Sequence, residues 1–159
     1  MKTLMLTILS VFLVACAARG PAYQTPSAPA IGFANILIYR FANGYGGAYP
    51  VDIAINASEK VASINEQGYT VVQLRADGRE HVIRSGPNNS IMKVTLTPTS
   101  GETYYIKYVA GAPIGSLSAG GLASIGKKPK NPLAIIPPEV ASKEIIEYKF
   151  QPALQPRIE

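Results

Sequence analysis

Residues 121–128, GLASIGKK, come within one position of the phosphate-binding loop GxxxxGK followed by Ser or Thr. In that loop backbone amides cradle phosphates, the lysine meets their outer oxygens and the hydroxyl holds magnesium. Here Lys128 stands where the hydroxyl belongs, so the metal ligand is missing. No clear strand precedes the segment and no helix follows it, and it reads as a basic loop. His81 is the only histidine and Cys16 the only cysteine. A metal site or a nucleophilic triad needs partners that these two residues do not have. Asp52, Glu66, Asp77 and Glu102 fall at turns or outward strand positions, without the pairing that glycosidase-type acid–base chemistry requires. The expectation is a protein that is not an enzyme and carries no metal and no cofactor.

Binding chemistry is better supplied. The loop FANGYGGAYP sets Tyr45 and Tyr49 on a glycine-rich frame. Such tyrosines are amphipathic and stiff, suited to stacking on sugars or filling a partner's pocket. A long connection between strands also needs glycine for itself, which is the plainer reading. Lys127, Lys128 and Lys130 contribute to a net charge of +5. They suit anionic lipid headgroups or envelope polymers.

Cys16 closes the run Leu13-Val14-Ala15-Cys16, behind an apolar stretch from Leu4 to Val14 and a single Lys2. A membrane-spanning helix needs about 20 apolar residues, roughly twice this length. A basic start, a short apolar run and small residues before a cut mark a secretory signal. The four residues resemble the lipobox of bacterial lipoproteins, in which the cysteine is acylated and the signal removed. One acyl chain anchors only marginally, whereas three hold firmly. By that resemblance Ala17, where an inner-membrane signal would place Asp, points to the outer membrane facing the periplasm. Nucleic acid is then not an expected partner. With the only thiol spent on lipid, folding rests on burial rather than disulfides.

These residues need a scaffold, and the pattern supplies one. Residues 1–15 form the expected signal peptide, and 16–31 the lipidated cysteine and a Pro/Ala-rich tether. Extended at about 3.1 Å per residue, that tether would span about 40 Å as a spacer without fold. Period-two alternation begins at ANILIYR, where Ala34, Ile36 and Ile38 oppose Asn35, Leu37 and Tyr39. Both faces are largely apolar, as in a central strand. VDIAIN, KVASI, YTVVQL, HVIR, IMKVTLT and GETYYIKYV follow as strands, with Asp77-Gly78 marking a tight turn. Val51, Ile53, Ile55, Met92, Val94, Leu96, Tyr104 and Ile106 are expected to line one core. Tyr105, on the opposite face from Tyr104, needs another cover or faces water. The fold class is mainly β, a small antiparallel β-sandwich over 32–109. A Gly-rich basic loop at 110–131 follows, expected to be mobile, then LAII and a short helix within 132–150. Pro at the helix start and Glu139–Lys143 spacing favour that helix, although IIEYKF alternates well enough for a strand. The tail 151–159 is expected to be loose.

ANILIYR, the VDIAIN hairpin and GETYYIKY together resemble a family of bacterial lipoproteins classed as domain of unknown function 2846, over about residues 34–109. That family usually carries a proline-glycine turn shortly before a histidine; RADGREH here has no proline and is one residue longer. The resemblance implies an envelope lipoprotein with a β-rich domain. The expected role is a structural or adaptor module, anchored to the membrane through Cys16, that binds another envelope component such as a protein partner. It implies no catalytic residues.

Overall fold

A computed structural model describes residues 18–42, 49–58, 60–85, 93–110 and 132–159. Cys16, Tyr45, Met92, Lys127, Lys128 and Lys130, and the loop 111–131, lie outside the described residues. The strands are β1 (Phe33–Phe41), β2 (Val51–Ile55), β3 (Ala62–Ile64), β4 (Gly68–Arg75), β5 (His81–Ser85), β6 (Lys93–Leu96), β7 (Thr103–Val109) and β8 (Leu133–Ile136). Helix α1 (Pro138–Glu144) and the short strands β9 (Lys149–Phe150) and β10 (Arg157–Ile158) complete the chain. One sheet runs β10-β4-β1-β7-β8, with β9 also on β4; the other runs β3-β2-β5-β6.

This is the expected mainly-β sandwich with a short helix, but its first sheet is mixed rather than antiparallel. β1 pairs parallel with β7, and β4 pairs parallel with both β9 and β10. The chain leaves the first sheet to build β5 and β6 in the second, and the crossover brings β7 back alongside β1 in the same direction. Alternation reports which face a side chain takes, not which way its neighbour runs.

Ile36 and Ile38 of β1 point between the sheets and meet Ile53, Ile55, Ile64, Val72, Leu74, Ile83 and Ile106. Of the expected core row, Ile53, Ile55 and Ile106 are fully buried and Leu96 sits at its margin. Val51, Val94 and Tyr104 pack against it half-buried. Leu37 and Tyr39 point the other way, into a second cluster with Tyr69, Tyr105, Ala141, Ile145 and Tyr148. The cover that Tyr105 required is therefore α1 and the chain before β1.

That chain corrects the expectation of a free tether. Ala18 is buried, Ala22 forms an antiparallel bridge with Lys149, and the Phe150 amide donates to the Pro21 carbonyl at 2.9 Å. The Tyr23 ring meets Tyr69 edge-on at 5.4 Å. Further along, the Asn35 side chain donates to the Ser27 carbonyl at 2.8 Å. Residues 18–30 are thus a strap across the outer face of the first sheet. Proline-rich chain loses little entropy when bound extended, and an apolar sheet face without a second sheet needs covering. The tail is likewise bound rather than loose. Arg157 and Ile158 pair with Gln73 and Leu74, because the edge of β4 presents unpaired backbone groups that a short extended segment satisfies. IIEYKF divides between the two readings left open for it. The helix ends at Glu144, Ile145 and Tyr148 are buried in the turn after it, and Lys149–Phe150 is strand.

Two tests follow from this packing. Ile53→Ala should cost about 2–5 kcal/mol, as for other buried large-to-small changes. Asp52→Asn, which weakens a half-exposed ion pair with Lys60 and keeps an oxygen to accept from the Ser63 hydroxyl, should cost at most about 1 kcal/mol. Denaturant unfolding measures both, and equal losses would place β2 in the wrong register. A side chain on Gly20 would stand 2.0 Å from the Phe150 carbonyl oxygen. Gly20→Ala should therefore lift the strap, and exchange of the Phe150 amide should accelerate while Ile53 stays protected.

Candidate functional site

A groove of about 460 Å³ opens on the outer face of the first sheet, between the strap and the tail. Asn35, Val71 and Gln73 form its floor, with Pro26 and Ser27 on one wall and Pro156 and Arg157 on the other. Asn35 and Gln73 are directly opposite in the β1–β4 register. They share the face that carries Leu37 and Tyr39 further along β1, which is why two amides sit on an otherwise apolar surface. Arg157 donates to Gln73 Oε1 at 3.1 Å, and Gln73 Nε2 donates to Asn35 Oδ1 at 3.3 Å. Asn35 Nδ2 donates in turn to the Ser27 carbonyl, and Asn35 is only 1% exposed. None of these residues was singled out from the sequence. The one local signal was a polar Asn35 in the apolar run ANILIYR.

A second polar cluster lies toward the other end of the same face. Tyr39 donates its hydroxyl to Glu144 Oε2 at 2.6 Å, and Lys107 donates to Glu144 Oε1 at 2.6 Å. The Lys107 ammonium also sits 3.8 Å from the centre of the Phe41 ring. Burial, reinforced by the Glu144 carboxylate, pushes the Tyr39 hydroxyl well above its ordinary value. Burial opposes ionisation of Glu144, but the hydrogen bonds from Lys107 and Tyr39 outweigh it and hold the carboxyl below its ordinary range. Tyr39 thus keeps its proton and Glu144 stays ionised near neutrality. Neither is poised to exchange a proton. The cluster clasps α1 to the sheet.

The residues picked from the sequence are dispersed. Tyr49 is 77% exposed, and its carbonyl accepts from the buried Arg40 guanidinium. His81 is buried where the chain passes from β4 to β5. The Val82 amide can only donate, so Asn56 turns Oδ1 to it and Nδ2 to His81 Nδ1. The His81 proton then lies on Nε2, aimed at the Arg75 carbonyl 3.2 Å away. His81 staples a corner between the sheets. Asp77 lies against Arg79, whose hydrogen bond holds its carboxyl down to about 2, and Asp52 pairs with Lys60. Among the described residues, no three His, Cys, Asp or Glu side chains gather as a metal-binding group. No family model, curated protein or solved structure matches the chain.

The clasp makes a pH prediction. The Glu144 carboxyl lies below its ordinary value of 4.5 in the folded protein, so the unfolded chain binds the extra proton. Its stabilisation is present above pH 4.5 and is lost as pH falls through the folded value. Glu144→Gln should therefore lower the melting temperature at pH 7 and flatten its decline on acidification below pH 4.5. A variant whose acid decline parallels that of the parent would show that the clasp contributes nothing.

Proposed function

We propose that the protein is a lipid-anchored envelope lipoprotein, held at the outer membrane and facing the periplasm. Its β-sandwich serves as a non-enzymatic structural or adaptor module for another envelope component. The motif at Leu13-Val14-Ala15-Cys16 supports the anchor. The resemblance of ANILIYR, VDIAIN and GETYYIKY to envelope lipoproteins agrees with it. Among the described residues no helix is long and apolar enough to cross a membrane.

The strap is the observation that carries the reading. The polypeptide is bound to the sandwich from Ala18 onward, and Ala18 lies two residues after Cys16. Two residues reach at most about 7 Å. An acyl anchor at Cys16 would therefore leave the domain no free swing and present it in one orientation, as an adaptor requires. The membrane-proximal end would be the one bearing Ala18 and the Glu66–Gln67 turn, since the Ala18 amide donates to the Glu66 carbonyl. Exposed Ile135 on β8, Val140 on α1 and Ile146 just after it offer apolar contact to a partner. A second reading, a module that takes up glycan or peptide, draws support from the amide-floored groove.

Cys16→Ser should abolish palmitate labelling and membrane retention. In the acylated protein on vesicles, a fluorophore at Gln67→Cys should be quenched by a headgroup-bound quencher. One at Glu102→Cys, level with the start of β1 where Gln67 lies level with its end, should stand about 23 Å further out and escape. Undiminished labelling of the serine variant would remove the anchor; equal quenching at both sites would restore a long tether.

A further inference from the structure

We infer that the groove between strap and tail is a binding site for the carboxylate of a small ligand. The inference rests on the ligand-binding reading and gives it a chemistry; it does not need the lipid anchor. The direction of the amide relay is forced from both ends. Arg157 has no acceptor, so Gln73 must turn its oxygen toward the guanidinium and its nitrogen toward Asn35. The Ser27 carbonyl has no donor, so Asn35 must offer it nitrogen. Each amide oxygen has then already accepted a hydrogen bond, while each amide nitrogen keeps one proton uncommitted. Arg157 keeps the rest of its fork. The site is rich in donors.

It is also positively charged. Arg75 and Arg157 flank the Phe33 ring at 5.8 and 4.8 Å, but only Arg75 is neutralised, by Glu159 at 2.6 Å. Arg157 has no carboxylate partner among the described residues. The ring holds its guanidinium in place, so little freedom is lost when a ligand arrives. One guanidinium beside two amide N–H groups matches a single carboxylate, which it can meet bidentately; a dianionic phosphate would call for more charge. Pro26, Pro156 and Val71 give a rigid apolar seat next to it. A volume of about 460 Å³ lies within the range that encloses small ligands.

Two sources share this chemistry, the carboxyl end of a short peptide and an acidic sugar. The test is a titration of the full chain in detergent micelles, read by NMR on the Asn35 and Gln73 side-chain amides. The probes are N-acetylalanine against N-acetylalaninamide, and glucuronate against glucose. At least one acid should shift both amides, and its neutral counterpart should not. Binding should weaken with added salt, and the acid that binds identifies the source. Arg157→Gln should weaken binding at least tenfold. Gln73→Glu keeps an acceptor for Arg157 but replaces the donor to Asn35 with a carboxylate oxygen at the floor of the groove. It should abolish acid binding and lower the melting temperature, whereas Arg157→Gln should weaken binding without disturbing the Gln73–Asn35–Ser27 contacts. Equal shifts from acid and neutral probes would overturn the carboxylate assignment while leaving a ligand groove. Silence with all four probes, or unchanged acid binding by Gln73→Glu, would overturn the site.

Discussion

β1 has no face to give to water. From Phe33 to Arg40 every residue is buried, although alternate side chains point in opposite directions. A strand of this kind needs two covers, and the second sheet supplies only one. The other must come from outside the sandwich, and the chain provides it from both flanks: the strap before β1 and α1 after β8. Leu37, Tyr39, Tyr69, Tyr105 and Tyr148 would otherwise stand in water, at about 25 cal/mol for each Å² of apolar surface exposed. Most of this second layer is tyrosine, and its rings meet edge-on. Tyr39 and Tyr148 are 6.0 Å apart, and Tyr69 lies 5.5 Å from Phe150. Aromatic pairs of this geometry carry orientation as well as area.

Tyrosine brings hydroxyls into that layer, and each needs a partner. Glu144 accepts from Tyr39, and the Tyr148 hydroxyl accepts from the Ala42 amide at 3.2 Å. The Tyr69 hydroxyl accepts from Gln24 at 3.3 Å. A side chain on α1, the end of β1 and the strap are therefore joined through polar contacts that an all-aliphatic layer would lack. Between the sheets the solution is different. Arg40 continues the inward row of Ile36 and Ile38, yet it is fully buried and reaches the carbonyls of Tyr49 and Ile64. Burying a guanidinium is costly unless its protons find acceptors. Those carbonyls belong to the chain entering β2 and the end of β3, so Arg40 binds the two sheets at one end as His81 binds them at the other.

The parts of this structure that were legible in the sequence are those written in side-chain alternation. The central position of β1, the inward row of β2 and the opposite faces of Tyr104 and Tyr105 all follow from it. The strap and the tail were not legible, because neither has a period. They are held by backbone groups that every residue carries, and by edges and faces that exist only once the sheet has formed. The groove was hidden for the same reason. Its floor comes from β1 and β4, and its walls from two segments that read as spacer and loose end. Asn35 was visible as an oddity, but its partner Gln73 is supplied by a register no local pattern encodes.

The strap would also decide how force on the proposed anchor at Cys16 reaches the groove. A pull at Cys16 meets the Ala18–Glu66 contact first, a long 3.4 Å hydrogen bond. The Pro21–Phe150 bond and the Ala22 bridge come next, then the Tyr23 ring against Tyr69. Only beyond these does the chain reach Pro26 and Ser27, the wall of the groove and the acceptor that fixes its amides. Bonds loaded in sequence give way singly, so the first contacts can break while the aromatic contact still holds. The groove would then keep its shape while the start of the strap yields. The close approach of Gly20 to Phe150 belongs to the part that yields, and Tyr23 to the part that protects.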